Sequence, residues 1–425
     1  MKFLSTLLFV APVVLAGVDR RGREVYDGYK VFRVMTEEDA AITEDKLQSI
    51  SAIELSCNHG HTDVQHFDVA VPPESLDAFQ ALNYATELLS DDLQADIALE
   101  GELEPYPGLD EVNIESVGAA AALPSATWFN AYHDYADHLT FLKDLQAAFP
   151  SNSELISGGT SFENRGIQGI HLWGSGGKGS KPAIYWHGNV HAREWITSMT
   201  VEYLTYQIIL NYNNDTTVKT TLDNYDFYIM PIVNPDGFVY TQTSTRLWRK
   251  NRQTRSGSSA VGTDINRNWP YKWDGEGSST SPGSAAGDTP ENTGIRKYAD
   301  TLAAGKGIKL YIDFHSYGQY ILTPYGYSCS ATASNQSKQN KLAANTGAAI
   351  AKSYGTEYTT GGTCSTLYVT NGGSNDYLTD ISKAEFGWAI ELRDTGRYGF
   401  SLPANQILPT GIETWQGMKY LWANM

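Results

Sequence analysis

Three apolar runs in this sequence end in titratable residues. "PAIYW" leads into "HGNVHAREW" (His187 to Trp195), "KLYIDF" delivers His315, and "FGWAI" delivers Glu391. Runs of this length, rich in aromatic and β-branched residues, read as buried strands. In open α/β sheets, functional groups gather at the carboxyl ends of the strands. The expected fold is therefore α/β, a central mixed, mostly parallel twisted sheet flanked by helices, with the site at the strand ends.

The residues at those ends carry a specific chemistry. In "HAREW", His191 and Glu194 are three apart, with Glu194 expected in the first turn of the helix "EWITSMTVEYLTYQIIL". A histidine before a helix and a glutamate in its first turn can meet at one metal ion. A catalytic zinc needs a third ligand and an open position, and His315 in "KLYIDFHSYGQY" is the candidate. Three more stretches are polar beyond what a core strand or turn requires: "RLWRKNR" with Arg249, "VGTDINRNW" with Asp264, Asn266 and Arg267, and "FGWAIELRDTGRYGF" with Glu391. Together they supply a base, an oxyanion stabiliser and a carboxylate clamp, the needs of peptide-bond hydrolysis beside a free carboxylate. Two other motifs are weaker. "GSGGKGS" lacks the Gly-Lys-Ser/Thr of a phosphate loop and reads as a glycine turn, while "CNHGHTDVQH" groups Cys57, His59, His61 and His66 as a minor soft-metal candidate.

At 425 residues the chain is expected to form two domains. Residues 1–16, "MKFLSTLLFVAPVVLA", have the layout of a signal peptide and are too short to span a membrane. The net charge of -17 is unevenly placed: residues 17–125 hold 23 Asp plus Glu against 6 Lys plus Arg, and residues 126–425 hold 25 against 24. The acidic block is not a polar tail. It reads as strand ("GYKVFRVM"), helix ("DKLQSISAIEL"), strand ("QHFDVAVPP") and helix ("SLDAFQALNYATELL"), a small α+β module, followed by a Glu-, Pro-, Gly- and Ala-rich linker. No Lys or Arg occurs between Lys46 and Lys143. The sequons at Asn214 and Asn335 are candidate glycosylation sites in an exported chain. Of three cysteines, Cys329 and Cys364 are a candidate pair and Cys57 is left over. No basic patch supports nucleic-acid binding.

"HAREW", "WRKNR", "DINRNW", "DFHSYGQ", "LYVTNGGSNDY" and "IELRDTGRYGF" stand in the order and at about the spacing of the zinc metallocarboxypeptidases of the digestive A/B type, which the chain resembles from about Thr127 to its C-terminus. The acidic block resembles their inhibitory prosegment more loosely. The resemblance implies a signal peptide at 1–16, a prosegment at 17–112 folded as a small ferredoxin-like antiparallel sandwich, an activation linker at 113–124 and a catalytic domain at 125–425. It implies that His191, Glu194 and His315 bind one zinc ion, Glu391 is the general base and acid, and Arg249 polarises the scissile carbonyl. Asn266, Arg267 and Tyr368 would hold the substrate carboxylate, Arg193 and Tyr317 would line neighbouring subsites, and Asp264 would orient His191.

Departures from the family pattern bear on specificity and activation. Ala260 stands where the digestive enzymes usually carry the first cysteine of their common disulfide, which a Cys329–Cys364 bridge would partly replace. At the specificity position Asn375 is neither apolar nor acidic; with Thr370, Ala389 and Asp313 near, the expected preference is neutral, apolar or broad, with basic C-terminal residues as the alternative. The linker without Lys or Arg implies an activating protease not of trypsin type. The expected protein is a secreted, or vacuolar, monomeric zymogen acting on peptide and protein C-termini. A catalytically inactive relative is the other reading, disfavoured because no residue of the expected set is missing.

Overall fold

The computed structural model describes residues 17–19, 22–38, 40–55, 65–109, 122–257, 259–275 and 283–425. The leader-like residues 1–16, Cys57, His59, His61 and the linker up to residue 121 lie outside them.

The N-terminal module is a four-stranded antiparallel sheet of β1 (Lys30–Thr36), β2 (Ile53–Glu54), β3 (Gln65–Val71) and β4 (Ala85–Ser90), in the order β2-β3-β1-β4. Both expected helices end earlier than the sequence pattern indicates, for a local reason. The first stops at Ser49, Ser51 takes a φ of 61°, and Ile53–Glu54 become strand. The second spans only Leu76–Ala81; Asn83, at a φ of 56°, turns the chain out of the helix and into β4. Asn tolerates the left-handed conformation that ends helices.

The large sheet has eight strands: β5 (Ser153–Thr160), β6 (Gly166–Leu172), β7 (Ala183–His187), β8 (Asp226–Met230), β9 (Ile308–Ser316), β10 (Tyr320–Thr323), β11 (Thr359–Gly362) and β12 (Phe386–Leu392). Their order is β11-β10-β12-β9-β7-β8-β6-β5. The central run β12-β9-β7-β8 is parallel, and antiparallel pairs enter toward both edges. The chain leaves β7 for β8 on one side and later returns to β9 on the other. That reversal opens a crevice at the carboxyl ends of β7, β9 and β12.

Side-chain alternation along the strands separates two cores. Ile184 and Trp186, Leu310, Ile312 and Phe314, and Phe386, Trp388 and Ile390 face one layer, packed by the helices Tyr135–Ala148, Trp195–Asn211, Gln336–Tyr354 and Ile407–Asn424. Tyr185 and Tyr311 face the other, with Ile295 and Ala299 of the helix Pro290–Ala304 and Tyr377 and Leu378 of the helix Ser374–Asp380. The helix Trp195–Asn211 is buried on nearly every side, as expected of a helix apolar all round. On the second face the strand ends turn polar: Asp313 and His315 continue from Tyr311, and Glu391 is paired beside His315 in the β12–β9 register. Phe314, between them in sequence, is fully buried on the opposite face and anchors the strand end, worth about 2 kcal/mol.

The N-terminal module docks over that crevice. Glu100 and Arg246 form a buried ion pair in which Arg246 Nε donates at 2.8 Å, and Arg397 pairs with Asp96 at 3.0 Å. Arg33, paired within the module with Asp68 at 2.7 Å, donates across the contact to the carbonyl of Thr395. Beyond Glu100 the last described residues of the module lie along the body, with Tyr106 donating through its hydroxyl to Asp144 and packing edge-on against Trp128. Removing one partner of a buried pair strands the other charge. Glu100→Ala is expected to lower the unfolding free energy of the full chain by about 3 kcal/mol, read by denaturant unfolding, whereas loss at the half-exposed Arg397 should cost well under 1 kcal/mol.

Candidate active site

The turn after β7 brings His191 and Glu194 to the sheet edge. Asn189 adopts a φ of 52°, and its backbone N–H donates to Thr197 Oγ1 at 2.8 Å, reversing the chain within a few residues. Glu194 occupies the N-cap position of the helix Trp195–Asn211, with its side chain making no capping bond, and does not lie in the first turn as expected. From there one carboxylate oxygen is 2.8 Å from His191 Nδ1 and the other 3.2 Å from His315 Nδ1. The two Nδ1 atoms are themselves 3.2 Å apart.

All three side chains are buried, and their ligand atoms lie within 4.8 Å of one another. Two imidazole nitrogens facing one point beside a carboxylate oxygen are the donor set of a catalytic zinc, three protein ligands with a fourth position open. His191 Nε2 lies 3.2 Å from Asp264 Oδ1, so the outer nitrogen carries the proton and Nδ1 turns its lone pair inward. Burial opposes the charge on Glu194, yet His191 and His315 hold its carboxyl well below the usual range. Asp264 is likewise held far down against the cost of burial by Arg249 and His191.

Around this centre the other expected residues are brought together. Arg249 Nε donates to Asp264 Oδ2 at 2.9 Å. Glu391 ends β12 with Oε2 shielded and unpartnered; burial pushes its carboxyl up to about 8, eased by His315 and reinforced by Glu194. Arg267 donates to the Tyr368 hydroxyl at 3.1 Å and to the carbonyl of Asn266 at 3.0 Å. Asn266 accepts the N–H of Ser374, and its Nδ2 is 3.1 Å from His315 Nε2. These groups line a cavity of about 280 Å³ shared with Asn375, Thr370 and Ala389. Asp313, expected near the pocket, does not line it and is fully buried.

Two features escape a reading of the sequence alone. The N-terminal module contributes Arg33, Leu55, His66 and Asp68 to the cavity wall. Arg193 lies 4.0 Å over the ring of Phe400 and donates to the carbonyls of Glu54 and Leu55, and Tyr317 donates to Asp68 at 2.9 Å. Contacts across some 140 to 250 residues leave no local sequence signal. Of the "CNHGHTDVQH" group only His66 is described, in β3, and the minor metal candidate lies otherwise outside the described residues. Cys329 and Cys364, the candidate pair that the sequence left open, form a disulfide.

The donor set predicts one zinc per chain, measured by elemental analysis after gel filtration. It should be stripped by a strong chelator and absent from His315→Ala. Retention of stoichiometric zinc by that variant would show that the ion sits elsewhere.

Comparison with known proteins shows the family. Residues 138–417 match the family described as zinc carboxypeptidase. A metallocarboxypeptidase A-like protein of Trichophyton verrucosum is 42% identical over 100% of this chain and 99% of its own length. Metallocarboxypeptidase A of Trichophyton rubrum is 41% identical over 97% and 96%. The crystal structure of carboxypeptidase A from Helicoverpa armigera superposes with a TM-score of 0.77 at 26% identity, covering 94% of this chain and 98% of that one. The chain belongs to the zinc carboxypeptidase family and is a metallocarboxypeptidase.

Proposed function

We propose that this carboxypeptidase is made as an exported zymogen and, once freed of its N-terminal module, removes neutral or apolar C-terminal residues from peptides and proteins. The observation that carries the reading is the convergence of His191, Glu194 and His315 with Glu391, Arg249 and Arg267 around one cavity whose wall the module completes.

In this reading His191, Glu194 and His315 hold zinc, which supplies a Lewis acid and an ionisable water near neutral pH. Glu391 takes the proton of the attacking water on its carboxylate and passes it to the nitrogen of the leaving residue. His315 and Arg249 favour the charged form of Glu391 against the burial that raises its pKa. Arg249, fixed by Asp264, donates to the carbonyl oxygen as charge develops there. Arg267, with Asn266 and Tyr368, holds the substrate's terminal carboxylate; a planar guanidinium suits that group and limits attack to the last bond. Arg193 and Tyr317 bind the backbone upstream, and in the full chain the module occupies both.

Several features support the zymogen. Residues 17–112 would be the prosegment, 113–124 the activation linker and 125–425 the mature enzyme. Tyr317 and Arg193 cannot serve substrate while Asp68, Glu54 and Leu55 hold them. The absence of Lys and Arg between 46 and 143 points to an activating protease of other specificity. The leader-like N-terminus supports secretion, or delivery to a vacuole, and the exposed sequon at Asn214 suits a glycan.

Specificity follows from the pocket. Asn375 is uncharged and donates to Thr363 Oγ1 at 3.0 Å, and Leu322, Leu367 and Ala389 form an apolar cluster on the same cavity. A preference for Lys and Arg would need a carboxylate where Asn375 stands. Mass spectrometry of peptides differing only in their last residue should show neutral and apolar residues released first by the module-free enzyme. Asn375→Asp should raise the relative kcat/KM for Lys and Arg ends by about tenfold, equivalent to roughly 1.4 kcal/mol of charge pairing. An unchanged order in the variant would place the specificity determinant elsewhere.

A further inference from the structure

Asp313 is fully buried and takes no part in the chemistry above. Such a carboxylate is costly to keep, and an apolar residue of similar size would serve stability as well or better. Its surroundings give the reason for its presence.

Alternation along β9 puts Asp313 and His315 on the same face, one pleat apart. Asp313 Oδ2 lies 3.1 Å from His315 Nε2 and accepts the Ser374 hydroxyl at 2.7 Å. In the β7–β9 register His187 stands directly beside Asp313, its Nδ1 3.3 Å from Oδ1. His187 is fixed in turn by Tyr311, whose hydroxyl lies 2.8 Å from His187 Nε2. Each oxygen of the carboxylate thus lies near an imidazole, although Oδ1 and His187 Nδ1 make no hydrogen bond, and only one of those imidazoles belongs to the proposed metal centre.

Two groups compete for His315 Nε2. Asp313 can only accept a proton's hydrogen bond there, whereas Asn266 Nδ2, at 3.1 Å, can only donate. If Asn266 wins, Nε2 keeps its lone pair, the proton moves to Nδ1, and the nitrogen facing Glu194 and His191 cannot coordinate. If Asp313 wins, the proton stays on Nε2 and Nδ1 is free to coordinate. The same outcome leaves the Asn266 amide hydrogens for the substrate carboxylate.

We propose that Asp313 is a positioning residue for the third metal ligand: it fixes the His315 tautomer from behind, as Asp264 does for His191, and by doing so frees the Asn266 amide. The proposal rests on the zinc-site reading above, and the test separates the two. Zinc affinity of the full chain is measured by competition with a chelating dye for the wild type, Asp313→Asn, Asp313→Ser, Ser374→Ala and His315→Ala. Asp313→Asn and Asp313→Ser are expected to weaken zinc binding by about 10- to 100-fold, the usual effect of losing such a partner. Ser374→Ala, which keeps the carboxylate beside the imidazole, should stay within about threefold of wild type if, as proposed, the carboxylate is the partner that matters.

Unchanged zinc affinity in both Asp313 variants, with binding lost in His315→Ala, would overturn the proposal and leave the metal site standing. Unchanged affinity in His315→Ala would overturn both. Failure of both Asp313 variants to fold would show that the residue serves the core and would also overturn it. A weakening in Ser374→Ala equal to that in Asp313→Asn would assign the effect to the Asp313–Ser374 contact and contradict the tautomer account.

Discussion

The parallel pairing of β7, β9 and β12 is the constraint on which the site depends. It aligns three carboxyl ends, so that the turn after β7, His315 and Glu391 arrive at one level without any long side chain having to reach. Their precision comes from the other face. Trp186, Phe314 and Trp388 are fully buried there, and a one-residue slip in any of these strands would exchange that packing for the polar ends. The core and the chemistry thus share one register.

Buried charge is the second theme. Glu194, Asp264 and Asp313 would each be expensive alone, and each is met by histidine or arginine at hydrogen-bond distance. Asp264 serves two groups at once, His191 through one oxygen and Arg249 through the other. Metal centre and oxyanion site are therefore coupled through a single carboxylate. The N-terminal module uses the same kind of contact from outside: Asp68, paired with Arg33 inside the module, accepts from Tyr317, and main-chain carbonyls of Glu54 and Leu55 meet Arg193. Its Glu100 and Asp96 engage Arg246 and Arg397 although the rest of the chain is almost neutral, which explains how an acidic block docks on a surface of little net charge.

Much of this was legible in the sequence because strand ends and motif spacing are local signals. The α/β class and the strand-end residues His315 and Glu391 follow from apolar runs that stop at polar residues, and His191 with Glu194 from their spacing; Arg249 and Arg267 stood out as polar motifs whose roles only the family resemblance supplied. The Cys329–Cys364 pairing was left open by the residues and is formed. The helix ends of the N-terminal module were less legible, since one Asn or Ser in a left-handed conformation overrides a helical pattern. The place of Glu194 just before the helix depends on the Asn189 turn, which periodicity does not reveal. Asp313 carried a usable signal, its two-residue spacing from His315, but its partners His187 and Ser374 come from other elements. The contacts between module and crevice had no signal at all.

Occlusion of a complete metallocarboxypeptidase site by its own N-terminal module is the central claim. The most direct measurement compares initial rates of C-terminal residue release from one peptide by the intact chain and by the same preparation after cleavage in the linker, with and without a zinc chelator. The account predicts little release by the intact chain, rapid release after cleavage and none with chelator present. Equal rates before and after cleavage, or release that persists without zinc, would contradict it.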